Sequence, residues 1–378
     1  MNRLENLIND LVAINSINPD LVVGGPGEAE VAAFIAHWLK NEGVESHLEE
    51  VLPGRPSVVG IVRGTGGGKT LLLNGHMDTV GVVGMDEAAY CPSIRNGRLY
   101  GRGAYDMKGG LAACMLAVAD AKKHTLRGDV ILSCVIDEEY AGLGTQDFVK
   151  HYHADGAIIA EPTEMQLILA HKGFAWMEIE TVGVAAHGSR PDLGVDAIAK
   201  MGGVLAALEK LDQKLRSQPT HKYLKSGSLH ASLINGGQDL ASYPERCILS
   251  IERRMIPGET GEGVEAELQV ILDQLSHSDP SFKAVVRRGI VRPPLETEED
   301  AEIVRVTQEM AEKISGMPVE MMGVPYWTDA ASLWAAGIPT ILFGPVGAGA
   351  HAVEEWVDLR SIETCRKVYL ETALKFCR

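Results

Sequence analysis

The sequence predicts an α/β protein. A mainly parallel sheet with helices on both faces forms the larger part, and a ferredoxin-like βαββαβ domain is inserted in it. Three observations carry this reading. Short, continuously apolar runs such as residues 130–136 alternate with helical periodicity through the first 170 residues. Strands apolar on both faces belong to parallel sheets covered on both sides. From Phe174 onward the order becomes strand, long helix, two strands, helix, strand, the ferredoxin-like arrangement. After Val291-Arg292-Pro293-Pro294, which reads as a return linker, helices and a strand resume. The 378 residues suit two domains at about 100–200 residues each.

In order, residues 5–14 and 28–42 read as helices. Leu4, Leu7, Leu11 and Ile14 recur at helical spacing, and Gly43 stands where a C-cap is needed. Strands follow at 58–62 and 71–74, a buried helix at 109–123, and strands at 130–136, 157–160 and 167–170. The insertion contributes strands 175–182, 229–234, 247–253 and 282–288 and helices 195–215 and 261–275. A helix at 300–314, a strand at 339–343 and a helix at 361–376 close the chain. The expected boundaries are 1–173 and 291–378 for the larger domain and 174–290 for the insertion. Gly64-Thr65-Gly66-Gly67-Gly68-Lys69-Thr70 imitates a phosphate-binding loop. Arg63 stands where that motif needs glycine, and the strand-like Leu71-Leu72-Leu73 follows in place of a helix. The segment reads as a hairpin turn.

Composition excludes several classes. With 51 acidic and 35 basic residues and a net charge of −16, the chain is a poor ligand for nucleic acid or an anionic membrane. Six scattered cysteines without a C-x-x-C pair argue against a thiolate zinc site or a disulfide framework. The charge-free stretch 330–350 is broken by Pro and Gly, so no membrane helix is expected. Arg3, Glu5 and Asp10 leave no signal peptide visible. A reduced, cytoplasmic protein is expected.

Candidate chemistry collects where strands end. His76 and Asp78 lie two apart at the end of the strand at 71–74, so an extended backbone turns them to one face. An Asp beside an imidazole can hold one nitrogen and leave the other for a metal. Asp106 precedes a helix among Gly101, Gly103, Gly109 and Gly110, more glycine than an N-cap needs. Asp137, Glu138 and Glu139 follow the strand at 130–136, where adjacent carboxylates repel unless a cation is present. Glu161 follows the strand at 157–160. His351 lies in a Gly-rich loop after the strand at 339–343. Ligands of parallel sheets bind beyond the carboxyl ends of strands. Two histidines and several carboxylates without cysteine suit zinc or manganese. Five or more ligands exceed one tetrahedral ion and fit a pair sharing a carboxylate.

With these residues in order, the chain resembles the di-zinc amidohydrolases and exopeptidases of the acetylornithine deacetylase, succinyl-diaminopimelate desuccinylase, aminoacylase and glutamate carboxypeptidase family. The resemblance spans nearly the whole chain. It is carried by Ser16-Ile17-Asn18-Pro19, Gly75-His76-Met77-Asp78, the segment from Gly103 to Gly110, Asp137-Glu138-Glu139, Glu161-Pro162-Thr163, Ala186-His187-Gly188-Ser189, Thr328-Asp329-Ala330 and Gly344-Pro345. It implies that His76, Asp106 and Glu161 hold one zinc, and that Asp106, Glu139 and His351 hold the other. Asp78 would orient His76, Glu138 would be the general base, and the Asp106–Met107 peptide would be cis. In the insertion, His187 resembles the lid histidine that stabilises the oxyanion in the partner subunit's site. Arg254 resembles the arginine that binds the substrate carboxylate, with the adjacent Arg253 as the alternative. Ala241 stands where the family often has Asn, with Ser242 beside it as a partial substitute, so the substrate contact made by that Asn stays open.

The resemblance implies hydrolysis of a linear amide in an N-acyl-L-amino acid by two divalent ions, zinc foremost, with cobalt or manganese as options. It also implies a homodimer joined through the lid, with no nucleic-acid or membrane partner. A carboxypeptidase or dipeptidase on the same scaffold is the first alternative. A non-catalytic ligand-binding protein is the second, and retention of every ligand and of Glu138 speaks against it.

Overall fold

The computed structural model describes residues 2–85 and 89–378. They divide into two compact units. One comprises the residues up to 169 with 297–322 and 328–378, the other 170–296 with 323–327. The insertion thus extends a few residues beyond 174–290 on each side. A single residue, Lys172, separates the strands on either side of the entry, so no linker composition marks it. The return segment 323–327 joins the second unit through Trp327, whose ring stands edge-on to Phe174 at 5.9 Å between centroids.

The first unit is a sheet between helices. The hairpin β1 (Glu45–Leu52) and β2 (Arg55–Val62) is followed by β3 (Leu71–His76), β4 (Val130–Val135), β5 (Gly156–Ile159) and β6 (Leu167–His171). The second unit holds β7 (Gly173–Val182), β8 (Ser228–Gly236), β9 (Arg246–Met255) and β10 (Ala284–Arg292), and β11 (Thr340–Leu342) returns to the first. The order in the first unit is β1-β2-β4-β3-β5-β11-β6. Its centre, β4-β3-β5-β11, is parallel, while β1, β2 and β6 pair antiparallel. Every residue of β3 and β4 is buried, as strands covered on both faces require. From β3 the chain crosses to β4, then returns past β3 to β5. Such a reversal is where open α/β sheets bind ligands.

The helices show why each begins where it does. α1 (Arg3–Ala13) starts two residues earlier than its apolar spacing suggests. Asn2 accepts the Glu5 amide at 2.9 Å and Glu5 accepts the Asn2 amide at 3.1 Å, a capping box. α2 (Ala29–Asn41) ends before Gly43, whose φ is +77°. α3 (Gly109–Ala121), buried along its whole length, packs against the terminal helix (Leu359–Phe376), which Asp358 caps at Ser361.

One local expectation changes, and one strand, β1, is added. The segment 64–70 is not a hairpin turn, because β2 and β3 lie on opposite sides of β4. It crosses the start of β4, with Thr65 and Gly66 amides donating to Leu126 and Arg127 carbonyls at 2.8 Å. A Cβ on Gly64 would lie 2.4 Å from the Arg127 carbonyl oxygen, so its glycine serves a close backbone approach. β1 shows no apolar alternation because it is an edge strand, held through its backbone to β2.

The second unit has the βαββαβ order with strands β8-β9-β7-β10, all antiparallel. Its helices, Ala197–Ser217 and Gly261–Ser278, share a core with the inward residues of the sheet, among them Met177, Ile179, Leu249, Ile251, Val204 and Leu268. β8 is an edge strand, and Leu233 and Ile234 on it are 72% and 56% exposed.

Leu268 is fully buried in that core. Leu268→Ala is expected to destabilise the protein by about 2–5 kcal/mol through lost burial and a residual cavity. Denaturant unfolding checks it, and a loss below about 1 kcal/mol would mean the core collapses around the gap.

Candidate metal centre

β3 delivers His76 at its last residue, nearly inaccessible to solvent. Gly75 leaves room for Met107, whose Cε would lie 2.8 Å from a Cβ there. The Nδ1 of His76 donates to the carbonyl oxygen of Asp78 at 2.9 Å, so Nε2 faces the carboxylates. Nε2 lies 3.2 Å from Asp106 Oδ1 and 3.6 Å from Glu161 Oε1. The Asp78 carboxylate is 3.7 Å from Nδ1. Its closer partners are the Asn18 amide at 2.8 Å and the backbone N–H groups of Glu138 and Glu139 at 3.2 and 3.1 Å. It therefore pins the segment that follows β4, and the backbone of Asp78 does the orienting of His76.

Asp106 lies in a kinked turn before α3, and its peptide bond to Met107 is cis. Its two carboxylate oxygens reach different histidines: Oδ1 faces His76, and Oδ2 lies 3.3 Å from His351 Nε2. Glu139 Oε2 lies 3.1 Å from the same His351 nitrogen. Glu139 Oε1 is buried and has no hydrogen-bond partner among the described residues. Glu161 follows β5, where Gly110 of α3 and Gly344 approach the backbone so closely that a Cβ on either would meet the Ala160 or Glu161 carbonyl oxygen at 1.9 or 2.0 Å. Possible ligand atoms of His76, Asp106 and Glu139, and of His76, Glu138 and Glu161, lie within 4.8 Å of one another. Seven expected residues thus converge in the first unit: His76, Asp78, Asp106, Glu138, Glu139, Glu161 and His351.

Electrostatics tests whether a cation fits. Burial pushes the Glu138, Glu139 and Glu161 carboxyls above the ordinary range, and neighbouring carboxylates add to it. Burial likewise raises Asp329 to about 7, against the hydrogen bond it accepts from Thr145. The carboxylates in turn raise both histidines: His76 despite its burial, and His351 to about 10 through Asp106 and Glu139. Asp106 alone is lowered, because the two histidines outweigh its burial. Such a set stores negative charge that a divalent ion would relieve, and its nitrogen and oxygen donors suit zinc or manganese. With the orphaned Glu139 oxygen, the residues fit metal ligation.

The other two expected residues lie in the second unit. His187 Nδ1 is 2.8 Å from the Ser189 hydroxyl, and its backbone bridges to Ser242. Ala241 accepts the Gly188 amide at 2.6 Å through its carbonyl, a backbone role indifferent to its side chain. Arg253 is buried, with Nη2 donating to Glu259 at 2.6 Å. Arg254 is partly exposed and lies over the Phe174 ring; among the described residues its side chain donates through Nε alone, to Glu252 at 2.7 Å.

Sequence reasoning missed the supporting layer. Asn18 bridges Asp78 and Asp137, and Arg55 joins Asp137, Asp20 and Glu28. Glu355 is buried and accepts the amides of Gly103, Tyr105 and Asp106 together with the Arg102 guanidinium. Asn18 lies in Ser16-Ile17-Asn18-Pro19, one of the segments that carry the family resemblance. Glu355, beside Glu354, carries no local signal.

A sequence model of the peptidase family M20/M25/M40 matches residues 72–375. The chain is 30% identical to the N-formyl-4-amino-5-aminomethyl-2-methylpyrimidine deformylase of Bacillus subtilis (strain 168), over 92% of this chain and 89% of that one. It is 29% identical to the acetylornithine deacetylase of Myxococcus xanthus, over 99% and 97%. A dinuclear metal binding peptidase of the M20 family from Bacillus subtilis superposes with a TM-score of 0.78 at 14% identity, over 99% and 98%.

The sign of the pH dependence follows from the shifts. Raised carboxyls contribute stability while protonated and lose it as pH rises through their folded values. Raised histidines do the same, whereas the lowered Asp106 acts in the opposite sense. Metal binding needs the deprotonated forms. The gain in melting temperature on adding zinc to metal-free protein is therefore expected to grow from pH 5 to pH 8 in differential scanning calorimetry. A gain that is flat or falls over that range would contradict this.

Proposed function

Since the chain belongs to the peptidase family M20/M25/M40, whose members include metal-dependent amide hydrolases, we propose that it removes the acyl group from an N-acyl-L-amino acid by hydrolysis of a linear amide. The observation that carries the reading is the convergence of His76, Asp106, Glu139, Glu161 and His351 with one further carboxylate, Glu138, beside them. The names of the two relatives support acyl-amide cleavage: both describe removal of a small acyl group, and they differ in the amine half.

His76, Asp106 and Glu161 would hold one divalent ion, and Asp106, Glu139 and His351 the other, with zinc foremost and cobalt or manganese as options. Bound there, the ions supply an acidified water and positive charge for the carbonyl oxygen. Glu138 takes the proton of the attacking water on its carboxylate and passes it to the leaving nitrogen. Burial of Glu138 favours its holding that proton. Asp78 fixes the backbone of Glu138 and, through its own carbonyl, the ring of His76. His187 donates a hydrogen bond to the tetrahedral oxyanion. The guanidinium fork of Arg254 takes the free carboxylate of the substrate.

The second reading, a carboxypeptidase or dipeptidase, is supported by the fold shared with the M20 peptidase. Side-by-side assays of N-acetyl-ornithine, N-succinyl-diaminopimelate, other N-acyl amino acids and dipeptides separate the two. We place the protein in the cytoplasm as a homodimer. Free cysteines, five of six buried, support the first, and the exposed apolar edge β8 supports the second. Among the described residues no helix is long and apolar enough to cross a membrane.

Glu138→Gln is expected to retain both metals and the fold while kcat falls by about 10²–10⁴-fold. Near-normal turnover would remove Glu138 from the base role. If His187 serves the partner's site, mixing His187→Ala and Glu138→Gln proteins, each inactive, restores activity. A mixture that stays inactive after subunit exchange contradicts a shared site.

A further inference from the structure

We propose that the Arg102–Glu355 pair sets the spacing of Asp106 and His351, and so governs filling of the second metal position (Asp106, Glu139, His351) while the first stays filled. The inference rests on the two-metal reading above.

The two positions are built differently. His76 ends a central strand and is held by its pairing with Val135, and Glu161 lies two residues beyond another, next to Ala160, whose amide donates to the Asn74 carbonyl at 3.0 Å; both are buried. His351 has no such support. Its side chain is 56% exposed, and its φ of +62° is left-handed, uncommon outside glycine. Its place is therefore set by the backbone of its loop. That loop is tied down by short strands: Gly347–Ala348 pairs with Trp356–Asp358, which pairs with Arg98–Tyr100. Between these pairings lies Glu355, four residues after His351. One of its oxygens accepts the Tyr105 and Asp106 amides at 2.9 and 3.0 Å. The other accepts the Gly103 amide at 3.0 Å and Arg102 Nη1 at 2.6 Å. Arg102 completes the clamp by donating to the carbonyl of Ala352, next to His351, at 3.0 Å, and to that of Gly81 at 3.2 Å.

One buried ion pair thus grips the turn that aims Asp106 and the loop that aims His351. Loosening it displaces two of the three ligands of the second position but only one of the first. Partners behind metal ligands typically change affinity about 10–100-fold when removed.

The test is zinc content per chain by elemental analysis of the full-length protein after dialysis against a series of buffered free-zinc concentrations. Wild type, Arg102→Gln, Glu355→Gln and, as reference, His351→Ala are compared, with circular dichroism to check folding. The wild type is expected to hold two zinc ions. Both clamp variants should hold one where the wild type holds two, as His351→Ala does, and should regain the second only at free zinc raised about 10–100-fold. If Glu355→Gln fails to fold, Arg102→Gln decides, since Glu355 there keeps its backbone donors. Variants that lose both ions together, or keep both at the wild-type concentration, would overturn the clamp. A wild type holding no zinc would overturn the two-metal reading itself, and the clamp with it.

Discussion

Four carboxylates, Asp106, Glu138, Glu139 and Glu161, are gathered about His76 and His351, and among the described residues no lysine or arginine pairs with any of them. Proteins do not bury negative charge at this density without a counter-charge. The rest of the first unit can be understood as the scaffold that enforces the crowding. Protons and the two histidines balance part of the charge, and divalent ions would balance the remainder.

The scaffold works by fixing backbone first. The reversal of strand order at β3 brings the ends of β3, β4 and β5 side by side. Gly110 and Gly344 then let a helix start and a loop touch the carbonyls around Glu161, where a methyl group has no room. Asp78 acts in the same manner, spending its carboxylate on two amides after β4. Behind it, Asn18 links Asp78 to Asp137 by hydrogen bonds, and Arg55 pairs with Asp137 and Glu28, a buried polar chain. Removing one member of such a chain leaves its neighbour buried and unpaired, the costly case.

The parallel centre of the sheet was legible in the sequence because its strands are apolar on both faces, and α3 because it is apolar all round. The edge strand β1 was not, since Glu45-Ser46-His47 and Glu49-Glu50 are held by backbone pairing rather than by burial. His76, Asp106, Glu161 and His351 stand out as candidates because each follows a strand or sits among glycines, whereas the choice of Glu139 within Asp137-Glu138-Glu139 and the ligand roles come from the family resemblance. Glu355 and Arg55 carry no local mark. Their roles arise only when distant loops meet, so a charged residue with no local signal becomes a buried hinge of the site. The segment 64–70 differs from the expected hairpin turn for a related reason. Its glycines answer the approach of residues 126–128, a contact that local turn chemistry does not reveal.

The central claim is that the gathered side chains hold a pair of divalent ions. Anomalous diffraction from crystals of the zinc-loaded protein, recorded on both sides of the zinc edge, tests it most directly. The account predicts two zinc peaks per chain, one among His76, Asp106 and Glu161 and one among Asp106, Glu139 and His351, with Asp106 touching both. No peak among these residues, or zinc bound only elsewhere on the chain, would contradict it.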